Sequence, residues 1–205
     1  MTALLPDSFS ALADLLAYPE EGYASRLAHA LAVLERDEAA APVMEPGSAL
    51  RAWAASVSDE DAQELYTRTF DLSPVATLDL GWHVFGESYK RGALLVGLRG
   101  ELRDHGIDAG TELPDHLPLV LRLLAVMPPG EDREALRKGI VGPAMRSIAV
   151  AFHGSNHPFA PLLRAAAECV APDVRRSAHL PVLSSHADPL KREVLGAGAM
   201  EGRHA

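Results

Sequence analysis

The chain has 205 residues, a formal net charge of −9, 48% hydrophobic and 23% charged residues, and one cysteine. That composition belongs to a folded globular protein with length for one full hydrophobic core rather than to a disordered chain. The acidity speaks against a nucleic-acid partner, which is gripped by clustered Lys and Arg, and a single Cys169 excludes an internal disulfide framework or a multi-cysteine metal site.

The opening "MTALLPDSFS" lacks the basic, long-apolar pattern of a secretory signal. No later run reaches the roughly 18 apolar residues of a membrane span, so a cytoplasmic protein without membrane insertion is expected. Apolar residues then recur at helical spacing: Phe9, Leu12, Leu15 and Leu16; Leu27, Ala30, Leu31 and Leu34; Leu50, Trp53, Ala54 and Val57. "YPEEG" closes the first helix, and "RDEAAAPVMEPGS" reads as a proline-containing connection ending at a cap, Ser48. Ser58 followed by Asp59, Glu60 and Asp61 places an N-cap hydroxyl and three acids at a helix start, predicting a helix toward Phe70. "FDLSPVATLDLG" interrupts it.

A long helix is predicted from about Glu87 to His105, stopped by Gly106, with Gly92, Gly97 and Gly100 offering places for close helix packing. Beyond "ELPDHLPLVLRLLA", the stretch "PPGEDREAL" opens a helix through Leu136, Ile140, Met145, Ile148 and Phe152, and Pro158 to Val170 gives another, in which Cys169 reads as buried filler. No segment alternates as a strand. The expectation is an all-α, single-domain bundle of roughly eight helices over residues 1–190, with "GAGAMEGRHA" belonging to a mobile tail, 191–205.

The stretch "TELPDHLPLVLRLLA", 111–125, sets two prolines, two acids and a histidine at the mouth of an apolar helix. With Asp115 as N-cap, His116, Leu117 and Pro118 form the first turn, where the missing N–H of proline has no internal acceptor to lose. Leu117, Val120, Leu121 and Leu124 then share one face, with Arg122 pointing away. Glu112, Asp115 and His116 are left clustered near the surface on proline-restricted backbone. This is either plain helix capping or a rigid polar patch beside apolar surface, suited to peptide recognition.

His153 and His157 lie four apart in "HGSNHP", but Gly154 and Pro158 make this a loop rather than a two-ligand helical face. The pairs Asp104–His105 and Asp115–His116 admit a helical metal-dependent phosphohydrolase as an enzymatic alternative, and a passive helical interaction module is the other. No phosphate loop, "HExxH" or "GxSxG" is present.

"YTRTFDLSPVATLDLGWHVFGESYKRG" (66–92) and "ELPDHLPLVLRLLA" (112–125) together resemble the NarJ branch of the TorD/DmsD superfamily, assembly chaperones of molybdoenzymes. The likeness lies in ordered blocks: "YTRTFD", then His83, Gly86, Arg91 and Gly92, then "ELPDHLP" about twenty residues later, over roughly residues 62–126. It implies an all-α, non-enzymatic cytoplasmic protein without a cofactor of its own. Such a protein binds the N-terminal segment of the apo catalytic subunit of a molybdenum oxidoreductase, and keeps it competent for cofactor insertion, with the insertion machinery as a further partner. The resemblance assigns client-peptide binding to Glu112, Pro114, Asp115, His116 and Pro118, and to Tyr66, Phe70, Asp71, Trp82, His83 and Arg91. By their residue types alone, Tyr66 and Phe70 would pack inward, Arg91 would pair with an acid, and His83 would be a satisfied buried histidine. Where many nitrate reductase chaperones read "TLYLTYH", this chain has "TLDLGWH", which places Trp82 beside His83.

Overall fold

The computed structural model describes residues 4–72 and 76–172. The C-terminal tail at 191–205, expected to be mobile, lies outside the described residues. Among the described residues ten α-helical segments follow one another: α1 (Pro6–Leu15), α2 (Tyr23–Leu34), α3 (Ala41–Ala54), α4 (Asp59–Tyr66), α5 (Leu80–Phe85), α6 (Tyr89–Asp104), α7 (Leu117–Val126), α8 (Glu131–Leu136), α9 (Gly142–Ala151) and α10 (Ala160–Val170). A π-helical turn, Arg137–Val141, fuses α8 to α9, so nine continuous helical stretches stand among the described residues, where periodicity suggested about eight for the chain. The stretch that periodicity missed is α5, whose six residues span less than two turns and carry no repeat to read. No strand occurs among the described residues, only an isolated bridge between Asp79 and His116.

The core is one cluster with α7 at its centre. Leu117, Pro118, Leu119, Val120, Leu121, Leu123 and Leu124 are all buried, so this helix is enclosed on nearly every side. α1 lies along it, α2 and α3 follow α1, and α10 joins α3 to α9. Arg122 leaves the apolar face to reach Asp14 of α1 at 2.9 Å. Buried Asp37 ties the start of α1 to the turn before α3, accepting from Leu5 N, Ser8 Oγ and Ala39 N at 2.8, 2.6 and 3.0 Å.

Two expectations need correction here. The segment expected as a connection ending at Ser48 is helical: a 3-10 turn, Glu38–Ala40, leads directly into α3, and Ser48 lies inside the helix. Val43, Gly47, Leu50 and Ala54 are buried along one face, and that packing outweighs the hydrogen bond lost at Pro46. The glycines of α6 are not close-packing sites at Gly92 and Gly97, where a Cβ would meet nothing within 4 Å. Two boundaries agree with the sequence: Ser58 Oγ accepts from Asp61 N at 3.0 Å, and α6 ends before Gly106, whose φ of 69° favours glycine. α4 runs on through a π-helical turn, Thr67–Asp71, to the neighbourhood of Phe70.

Candidate functional site: a buried charge cluster joining three helices

The loop before α5 and the loop before α7 are stitched together through their backbones. Leu80 N donates to Asp115 O at 3.0 Å, and Leu117 N donates to Leu78 O at 2.9 Å. This registers the two stretches that the sequence separates by more than thirty residues. Asp115, expected to cap α7, does not: the N-cap of α7 is His116, with no side-chain cap bond. The Asp115 carboxylate instead crosses to α5 and accepts the Gly81 amide at 2.9 Å, serving as the cap of a different helix. The reason is spatial, because the chain between Pro114 and Leu117 is engaged in the bridge to residues 78–80, which turns Asp115 inward and leaves it 0% exposed.

A buried carboxylate needs a positive partner, and α6 supplies one. Arg91 Nη2 lies 3.1 Å from Asp79 Oδ2 and its Nε 3.5 Å from Asp115 Oδ2, with the Arg91 side chain only 20% exposed. Its guanidinium carbon sits 5.7 Å from the centroid of the Trp82 ring. His116 Nδ1 stands 3.9 Å from both Asp79 Oδ1 and the more exposed Glu112 Oε2. Arg91, Asp115, His116, Glu112 and Trp82, drawn from two separate motifs, thus form one constellation around Asp79.

The two central carboxyls respond in opposite directions. His116, and behind it Arg91 and the Thr77 hydroxyl, hold Asp79 below the usual carboxylate range against the effect of its partial burial. Burial first, and the Asp79 charge second, push Asp115 upward against Arg91 and the Gly81 amide.

The remaining sequence-derived residues lie around this centre or away from it. His83 on α5 is half-buried, with Nε2 donating to Thr77 O at 2.7 Å and Nδ1 facing Ser147 Oγ of α9 at 3.2 Å; burial lowers its pKa. Tyr66 and Phe70 belong to the core, their rings 4.8 Å apart and packed with Phe159, while Tyr66 Oη donates to Leu16 O at 3.0 Å. They do not join the charge cluster. Asp71 and Glu112 are exposed, as is Leu113 between Glu112 and the buried Pro114.

Asp79 and Gly81 were not singled out by sequence reasoning, although the first holds the cluster together and the second makes room for it. An ideal Cβ on Gly81 would fall 2.7 Å from Asp115 Oδ2. The available signal was "DLG" ahead of a short apolar run, an N-cap acid with a glycine inside the first turn.

The pairs considered for metal chemistry do not converge. Asp104 bonds to its neighbour Arg103, and His105 Nδ1 faces the Glu101 carbonyl at 2.9 Å. His157 binds Thr69 Oγ1 at 2.9 Å. Among the described residues no three His, Cys, Asp or Glu side chains gather in a metal-holding group, and no helix is long and apolar enough to cross a membrane.

Comparison with known proteins finds relatives among nitrate reductase assembly chaperones. The nitrate reductase molybdenum cofactor assembly chaperone NarJ of Escherichia coli K12 is 44% identical over 78 residues, 38% of this chain and 33% of the relative. The probable chaperone NarW of the same strain is 38% identical over 77 residues, 37% of this chain and again 33% of the relative. A probable NarJ of Bacillus subtilis strain 168 is 31% identical over 119 residues, covering 58% of this chain and 64% of the relative. The match thus spans about a third of the length of the E. coli relatives. The family model described as nitrate reductase delta subunit matches residues 36–164, which run from the turn before α3 into α10 and include the whole cluster around Asp79; this chain belongs to that family.

Proposed function

We propose that this protein is a system-specific assembly chaperone: it binds the N-terminal segment of the catalytic subunit of a nitrate reductase-like molybdoenzyme and keeps the apo subunit competent for insertion of the molybdenum cofactor. The observation that carries this reading is that the two motif blocks meet in one charge cluster around Asp79, linked through His116 to the exposed Glu112 and through Arg91 to the partly exposed Trp82, with Leu113 exposed next to Glu112 in the chain. The names of the relatives support the same role. A patch of apolar surface edged by acids suits an amphipathic, basic segment, and a net charge of −9 favours its approach. In this reading the exposed Glu112 and Asp71, the partly exposed Trp82 and the edge of His116 touch the client. Asp115, Arg91, Pro114 and Pro118 hold the surface in shape, and Tyr66 and Phe70 form its foundation in the core. The protein works in the cytoplasm, without catalysis of its own, and hands its client to the cofactor-insertion machinery.

The direct test is to tag the protein in its native cells and identify by mass spectrometry what co-purifies. Recovery of one large molybdoenzyme catalytic subunit in its cofactor-free form is expected. A tagged, folded protein that recovers no molybdoenzyme subunit from cells actively maturing one would overturn the proposal.

A further inference from the structure

We propose that Arg91 is a positioning residue: gripped by Asp79 and buried Asp115, its guanidinium fixes the Trp82 indole as the aromatic contact for the apolar side of the client's N-terminal segment. This rests on the chaperone reading above and adds how the docking surface is set.

Trp82, Val84 and Phe85 on α5 are all partly buried, but Val84 and Phe85 pack against the hydrophobic core, as does Trp53 elsewhere, whereas Trp82 meets a guanidinium. The ring contact it makes is with Arg91, at 5.7 Å from guanidinium carbon to ring centroid. A planar guanidinium over an indole is attracted by the ring's negative face, and it leaves the opposite face of the ring for another apolar group.

Arg91 is itself immobilised by two carboxylates from two different elements, at 3.1 and 3.5 Å. One of them, Asp115, is fully buried and anchored by the Gly81 amide. Charge, anchor and ring therefore form a chain running from the interior to the surface. An aromatic group held this way loses little freedom on docking, and rigid Trp side chains are the kind that dominate binding surfaces. Glu112, joined to the same cluster through His116, adds an exposed acid to it for a client cation.

The test uses the full chain with Trp53→Phe, which leaves Trp82 as the lone tryptophan of the two. Emission maximum and anisotropy of Trp82 are measured for Arg91 and for Arg91→Lys, Arg91→Gln and Trp82→Leu where applicable. Affinity is measured with a synthetic peptide of the N-terminal segment of the nitrate reductase catalytic subunit from the same cells.

Arg91→Lys retains the charge facing Asp79 and Asp115 but not the planar stack. It is expected to shift Trp82 emission to the red, lower its anisotropy, and weaken the peptide about tenfold with the melting temperature little changed. Trp82→Leu is expected to weaken the peptide similarly, and Arg91→Lys added to Trp82→Leu to weaken it no further, because the arginine acts through the ring. Should Arg91→Gln fail to fold, the lysine and leucine variants still decide the matter. Unchanged Trp82 emission, additive losses in the double variant, or full affinity in Trp82→Leu would overturn the inference alone. A wild type that does not bind the peptide overturns the chaperone reading and this inference with it.

Discussion

Replacing Gly81 with alanine is expected to destabilise the protein, against the usual sign of that change in a helix. Gly81 lies in the first turn of α5 and is not among the positive-φ glycines, so alanine there would ordinarily gain about 1 kcal/mol. Here the new Cβ falls 2.7 Å from Asp115 Oδ2, 3.1 Å from Arg91 Cγ and 3.2 Å from Leu94 Cδ2. The carboxylate belongs to a fully buried residue and has no solvent to swing into, so it must leave the Gly81 amide, now 2.9 Å away. An unsatisfied buried donor and a weakened charge-assisted bond cost about 1–3 kcal/mol, against a propensity gain of about 1 kcal/mol, for a net loss centred on about 1 and reaching about 2 kcal/mol. Gly97 of α6 is the control: a Cβ there meets nothing within 4 Å, and Gly97→Ala should gain about 1 kcal/mol. Urea unfolding followed by circular dichroism should place the Gly81→Ala midpoint below wild type and the Gly97→Ala midpoint above it. A Gly81→Ala midpoint equal to or above wild type would refute the placement of the Asp115 carboxylate against α5.

Phe70→Ala, in the middle of the aromatic core, should cost about 3–5 kcal/mol in the same assay, whereas Leu72→Ser, at a residue 72% exposed, should stay within about 0.5 kcal/mol. Asp115→Ala leaves the Gly81 amide and one side of Arg91 without a partner and should cost about 1–3 kcal/mol; Asp115→Asn keeps an acceptor for that amide and should cost less. Because the folded-state pKa of Asp115 is raised, wild type loses stability as pH rises from the ordinary carboxylate range through that folded pKa, so any deficit of Asp115→Asn should shrink as pH rises in parallel melts. His83 and His157 are both depressed below 6.5 by burial, so the stability they contribute is present above that value and is lost as pH falls through it toward their folded pKa values. Melting temperature should therefore decline between about pH 7 and pH 5, and a His83→Gln, His157→Gln double variant should decline less; parallel slopes would contradict the assignment.

The helical class was legible because burial imposes a 3.6-residue period on any helix long enough to show it, as at Leu27 to Leu34 or Leu117 to Leu124. α5 was illegible for the converse reason, and α3 began earlier than Pro46 suggested because a buried face tolerates one missing hydrogen bond. The site was half legible. "ELPDH" announced a rigid polar helix start, and the pairing of Arg91 with an acid, the satisfied His83 and the inward packing of Tyr66 and Phe70 all follow from residue type. What local sequence cannot express is that Asp115 caps a helix more than thirty residues away, since that depends on the bridge between Leu78–Leu80 and Asp115–Leu117, which only the folded chain brings together. Asp79 and Gly81 draw their importance from that same meeting.

The central claim, that the joined motif surface captures a client's N-terminal segment, is tested most directly by calorimetric titration of the full chain with a synthetic N-terminal peptide of the nitrate reductase catalytic subunit. Because ordering a flexible segment offsets much of the contact energy, saturable one-to-one binding of modest, roughly micromolar affinity is expected, weakened by Glu112→Lys through repulsion of a basic segment. Absence of binding by the folded wild type, together with normal maturation of the molybdoenzyme in a strain lacking this protein, would contradict the account.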